Sequence, residues 1–105
     1  MPQFALYRNR SAATRERFPL LLDIQSDLLD PLATRVVVPL SPAGTARSRA
    51  MHTLTPLLTF EGKAYLMMTP QLAAVATREL GPVVGDLATD RATIMAAVDF
   101  LTAGI

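Results

Sequence analysis

The chain has no cysteine and no tryptophan, and only one histidine and one lysine among its 105 residues. Without cysteine, disulfides and thiolate chemistry are excluded, which fits a reducing compartment. With His52 alone, no pair of histidines can form a helical metal site, and no glycine-rich phosphate loop occurs. His52 lies between a polar stretch and an apolar one, and is read as a structural or solvent-facing group. The opening "MPQFALYRNR" lacks the apolar stretch of a secretory signal. No apolar run approaches the ~18 residues that span a bilayer. The expected location is the cytoplasm, with no membrane partner.

Charge of either sign is scarce. Charged residues make up 18% of the chain and the formal net charge is +1, so the overall field does not argue for nucleic acid or membrane. The distribution is uneven. Arg8, Arg10, Arg15 and Arg17 crowd one stretch against Glu16 alone, and Asp23, Asp27 and Asp30 follow with no cation among them. Nine of the ten cations are arginine, which fits either planar bidentate contacts or the codon bias of a GC-rich genome. Half the residues are hydrophobic, enough for a core, and the length suits a single domain over residues 1–105.

Short apolar runs dominate. "QFALY" (3–7) reads as a first strand, and "RNRSAATRER" (8–17) as a connection. "FPLLLDIQS" (18–26) reads as a strand, with Pro19 at its beginning or at an edge. Asp30-Pro31 signals a turn, and "RVVVPL" (35–40) suits a buried strand. "SPAGTARSRAMH" (41–52) reads as a loop with room for a helical turn. "TLTPLLTF" (53–60) and "KAYLMMT" (63–69) flank Glu61-Gly62, a hairpin pattern. Pro39 and Pro56 inside such runs predict edges or bulges. "PQLAAVAT" (70–77) is assigned as a strand on its β-branched residues. Ile94, Val98 and Leu101, with Ala97 beside them, mark one helical face from Thr89 to about Leu101. Thr89 is the expected N-cap, with Asp90 in the first turn. Gly104 stands where a left-handed residue stops a helix. The pattern is mainly β with one C-terminal helix.

No constellation for catalysis emerges. Asp23, Asp27 and Asp30 lack the glycine and distal glutamate of a calcium loop and are read as solvated, turn-forming residues. "GTARSRAMH" (44–52) carries two arginines without an adjacent aromatic for base stacking. Met51, Met67, Met68 and Met95 are read as core filler. The expectation is a binding protein that is not an enzyme and takes no cofactor and no metal.

The order of several motifs is more specific. Asp23-Ile24-Gln25-Ser26-Asp27-Leu28-Leu29-Asp30 precedes a strand ending Val38-Pro39-Leu40. "QFALY" opens the chain, "YLMMT" (65–69) follows, and "DLATDRATIMAAVDFLTAGI" (86–105) closes it. In this order and over nearly the whole length, the sequence resembles the CcdB family of bacterial toxins. The resemblance implies a homodimer with an SH3-like barrel sheet, a small β wing and a C-terminal helix. It also implies the toxin of a type II toxin–antitoxin module, a plasmid-maintenance system. Such a toxin binds the A subunit of DNA gyrase and traps the enzyme on cleaved DNA. It is neutralised by a CcdA-like antitoxin whose disordered tail folds on binding. The pair represses its own operon, so operator DNA is reached only through the antitoxin complex. Carried over by position, the gyrase-binding residues are Gln3, Phe4, Tyr7, Ser26, Leu28, Asp99, Ala103, Gly104 and Ile105.

The chain departs from the family at this same end. The family typically ends in an aromatic pair before Gly-Ile, with tryptophan directly before the glycine, where it stacks on gyrase arginines. Here the pair is Thr102-Ala103. Asp99 stands where an uncharged polar residue is usual. The alternative these departures imply is a CcdB-fold protein with weakened or lost gyrase poisoning that acts by binding antitoxin or another topoisomerase.

Overall fold

The first three strands are apolar on both faces, and this decides the architecture. β1 (Ala5–Arg8), β2 (Leu20–Asp23) and β3 (Thr34–Pro42) pair antiparallel, with Leu6 opposite Leu22 and Leu22 opposite Val38. Successive side chains along a strand point to opposite faces. Leu6, Leu20, Leu22, Val38 and Leu40 therefore share one face, and Ala5, Tyr7, Leu21 and Val37 the other. The structure, a computed structural model, describes residues 2–29, 31–44 and 51–104. Its other elements are β4 (Leu57–Phe60), β5 (Lys63–Met67), β6 (Ala73–Ala76), β7 (Val83–Asp86) and the helix α1 (Arg91–Ala103). The strands form one antiparallel sheet in the order β4-β5-β3-β2-β1-β7, with β6 also on β3.

The sheet curls into a half-barrel. Its end strands, β4 and β7, share no ladder, but the ring of Phe60 on β4 lies on Gly85 of β7. A Cβ at Gly85 would sit 2.5 Å from that ring, whose far end can turn aside. Gly81 is different, because its Cβ would collide with the backbone carbonyl of Arg8, which cannot move without disturbing β1. Gly81→Ala is therefore expected to cost about 1–3 kcal/mol and Gly85→Ala clearly less, read as urea midpoints. Equal costs would contradict this account of the closure.

α1 lies against the first face. Ile94 and Ala97 are fully buried there beside Leu22, Leu40 and Met67, with Met95 and Val98 half-covered. Burying a side chain such as Leu or Ile stabilises by roughly 1.5–3 kcal/mol, so this contact is a principal source of stability. Leu101, assigned to the same helical face by its spacing, is exposed. The physical reason is that α1 outruns the sheet, since every residue from 99 to 104 is exposed.

Other expectations need correction. Thr89 does not cap α1: it lies in a short 3-10 turn, and Asp90 takes the cap position without a side-chain cap bond. Gly104 does end the helix in the left-handed conformation (φ 74°, ψ 22°), its N–H donating to the Phe100 carbonyl at 2.9 Å. Pro39 is at neither an edge nor a bulge but inside the central strand β3. Its carbonyl accepts from Met68 N–H at 3.0 Å, so its nitrogen faces that same side, where β3 changes partner from β6 to β5 and no ladder donor is required. Pro56 directly precedes the edge strand β4, and Pro19 directly precedes β2. The hairpin turns at Glu61 and Gly62, with φ of 51° and 77°, the pair of left-handed residues that a two-residue turn requires. Met67 is buried, but Met51 is 56% exposed and is no core filler. The helical turn considered within 41–52 falls largely on residues 45–50, outside the described residues. β7 arises in a stretch, 78–88, where the sequence pattern marks no element.

Candidate functional site

The segment between β2 and β3 is organised by a buried ion pair. Asp23 and Arg35 are both fully buried. Arg35 Nε donates to Asp23 Oδ2 at 2.8 Å and Nη2 to Oδ1 at 3.0 Å, the bidentate geometry that suits guanidinium to carboxylate. Arg35 Nη2 also donates to the Gln25 carbonyl at 3.2 Å, and Gln25 N–H donates back to Asp23 Oδ1 at 2.9 Å. Asp23 is thus not the solvated turn residue its spacing implied. It is sealed in because it has a cation and a backbone donor to satisfy it.

Gln25 is the second organiser. Its Oε1 accepts from Val36 N–H at 3.0 Å, and its Nε2 donates to the Leu29 and Thr34 carbonyls at 3.3 and 3.2 Å. One side chain therefore ties both ends of the turn to β3. Ser26 Oγ accepts from Leu28 N–H at 3.2 Å and steadies a short 3-10 turn over Asp27–Leu29. Asp27 Oδ1 accepts from Gln3 N–H at 2.6 Å, and Gln3 Nε2 donates to the Ile24 carbonyl at 3.1 Å. The product is a braced turn carrying Leu28, 90% exposed, with Leu29 and Leu32 also exposed. Leu28, Leu29 and Leu32 exposed together on one short segment suit a contact with another molecule better than a single exposed leucine would.

The sequence-derived candidates divide in three. Gln3, Ser26 and Leu28 gather at this turn. Asp99, Ala103 and Gly104 stand on the projecting end of α1 with Phe100 and Leu101, all exposed. Arg91, at the other end of α1, reaches the first group by donating from Nη1 to Gln3 Oε1 at 3.4 Å. At ~1.5 Å per residue the helix separates the two groups by roughly 20 Å, so one chain does not bring them together. Phe4 and Tyr7 form the third set. They are 4% and 1% exposed, on opposite faces of the sheet, and present no surface in this chain. Tyr7 is buried because β1 is covered on both sides, and Phe4, just before β1, is buried because its ring turns into the cluster that packs against α1. Ile105 lies outside the described residues, as do Asp30 and the arginines of 45–50.

Phe4 still shapes the site. Its φ of 71° is rare for a bulky side chain. It is held there by its N–H donating to the Asp23 carbonyl at 2.6 Å and its carbonyl accepting from Leu87 N–H at 2.9 Å. The ring faces the core, and the Arg91 guanidinium lies 5.5 Å from its centre. Phe4 thus locks Gln3 beside the turn. Sequence reasoning missed Arg35 altogether, and the available signal was a lone arginine opening a run of three valines.

The projecting helix end has its own electrostatics. No basic residue stands in the last turn to offset the partial negative charge of a helix C-terminus. Asp99 adds a full negative charge nearby. With Phe100 and Leu101 beside it, this end suits a partner offering cations around an apolar patch. His52 is exposed and lines a shallow depression beside α1 with Ala92, Thr93 and Ala96. A family model described as CcdB protein matches residues 3–104, nearly the whole chain.

Proposed function

We propose, since the chain belongs to the CcdB family, that it is the toxin of a toxin–antitoxin module and acts by binding the A subunit of DNA gyrase. The family match over residues 3–104 carries this reading. The contact surface combines the projecting helix end, at Asp99, Ala103 and Gly104, with the braced turn, at Gln3, Ser26 and Leu28, and takes in Ile105, which follows Gly104 in the sequence. Phe4 acts beneath the braced turn as packing, and Tyr7 packs on the other face of the sheet with Val37 and Leu80. The two groups stand far apart in one chain, so a homodimer with its helix ends together is the assembly that would present them as one face. Binding holds gyrase on cleaved DNA. It requires no catalytic group in the toxin, which works by occupancy. A disordered antitoxin tail displaces the toxin, and the pair represses its own operon.

Ala103 favours a second reading. A methyl group where the family places an indole leaves gyrase arginines without a stacking partner, so poisoning is weakened or lost while antitoxin binding persists. Inducing the gene in its host separates the two. Growth arrest that is relieved by co-expressing the adjacent antitoxin supports the toxin. Undisturbed growth, with a stable complex between the two proteins, supports the second reading.

A further inference from the structure

The interior of the half-barrel is not filled to its end. A pocket of about 340 Å³ opens at the seam between β4 and β7, the strands that share no ladder, and no residue of α1 lines it. Its floor is the core itself. Leu20 and Tyr65, both buried, belong to the cluster that α1 covers elsewhere, and Phe60 and Val84 pack against the same cluster. Barrel mouths are favoured places for small ligands, and this volume falls at the lower end of such pockets, about 300–1,000 Å³.

Two features of the mouth say what it takes. β7 carries a bulge there: Leu6 pairs with Gly85 and Tyr7 with Val83, so Val84 is the extra residue. Bulges at barrel rims re-aim a side chain, and this one brings Val84 to the pocket wall. The second feature is charge. Arg8, the last residue of β1, and Lys63, the first of β5, both line the mouth. Neither forms an ion pair with a described residue. Lys63 Nζ instead lies 5.7 Å from the centre of the Tyr65 ring. One carboxylate, Glu61 in the hairpin turn, stands with them. The mouth therefore carries an excess of one positive charge above an aromatic and aliphatic floor.

We propose that this mouth binds a small aromatic carboxylate. Its ring system lies on Leu20, Phe60, Tyr65 and Val84, and its carboxylate is held between the Arg8 guanidinium and the Lys63 ammonium. A planar ring suits the two aromatic side chains, and a single negative charge matches the single excess cation. A ligand seated there touches both β4 and β7 and so ties the open seam. The site shares no residue with the helix end or the braced turn, and is independent of the gyrase reading.

The test uses the full-length protein with naphthoate as the probe and naphthamide, its neutral analogue of the same shape, as the control. Affinity is read by calorimetry and location by amide shift mapping. The expected result is shifts at Leu20, Lys63, Tyr65 and Val84, with naphthamide bound at least tenfold more weakly. Arg8→Gln/Lys63→Gln should also lose at least tenfold in naphthoate affinity. Both side chains are exposed, so the double variant should keep its own urea midpoint. Naphthoate should raise the midpoint of the native chain, since a ligand bound only by the folded state stabilises it by mass action. Equal affinity for the two probes would overturn the proposal, and that comparison needs no variant. Absence of naphthoate binding, shifts in the groove floored by Leu21, Val37 and Val75 on the opposite sheet face, or an unchanged affinity in the double variant would overturn it as well.

Discussion

Arg35→Ala is expected to destabilise the protein by about 3–5 kcal/mol, the cost of leaving a buried charge without its partner. Native domains have about 5–15 kcal/mol in total, so this change alone brings the protein close to unfolding. The reason is local. Arg35 is fully buried, and its loss strands the Asp23 carboxylate and removes a donor from the Gln25 carbonyl. Asp23→Asn should cost a comparable amount, because it leaves the buried Arg35 guanidinium without its counter-charge and turns one of its two acceptor oxygens into an N–H donor. Replacing both partners by apolar residues should recover part of the loss, since no charge then remains buried. Urea unfolding followed by circular dichroism measures all three. A cost under about 1 kcal/mol for Arg35→Ala would mean that the ion pair does not organise the β2–β3 turn.

Ala103→Trp is expected to tighten binding to the gyrase A subunit by roughly 30-fold or more. An aromatic at an interface centre contributes ~2 kcal/mol or more, stacking on arginine adds ~0.5–2 kcal/mol, and 1.4 kcal/mol is a factor of ten. Position 103 is the last residue of α1 and is exposed. The larger side chain therefore meets no core atom of this chain, and the fold should tolerate it. The negative helix end favours the same cationic partner. Titration of a labelled gyrase A fragment with both proteins measures the ratio. An unchanged affinity would show that position 103 lies outside the contact.

The strands with strong patterns were legible. The three-valine run became the centre of β3, the Glu61-Gly62 hairpin formed as written, and α1 ended at Gly104. What escaped was decided by tertiary structure. β7 is four residues, Val83–Asp86, bracketed by turn formers and given its strand character by pairing with β1. Asp23 and Arg35 look like surface charges until the register of β2 and β3 brings them to one buried face. The candidate contacts at Gln3, Ser26 and Leu28 fell together on one turn. The aromatic candidates Phe4 and Tyr7 did not join them, because Phe4 turns its ring into the core just before β1 and Tyr7 lies on a strand that is covered on both faces.

The measurement that tests gyrase poisoning most directly is a cleavage assay. Purified protein is incubated with the host's gyrase, ATP and supercoiled plasmid, and linear DNA is counted after detergent and protease. A toxin that traps gyrase on cleaved DNA produces linear plasmid in proportion to its concentration, and more of it with Ala103→Trp. Plasmid that stays uncut with the native protein and with Ala103→Trp alike would contradict gyrase as the target.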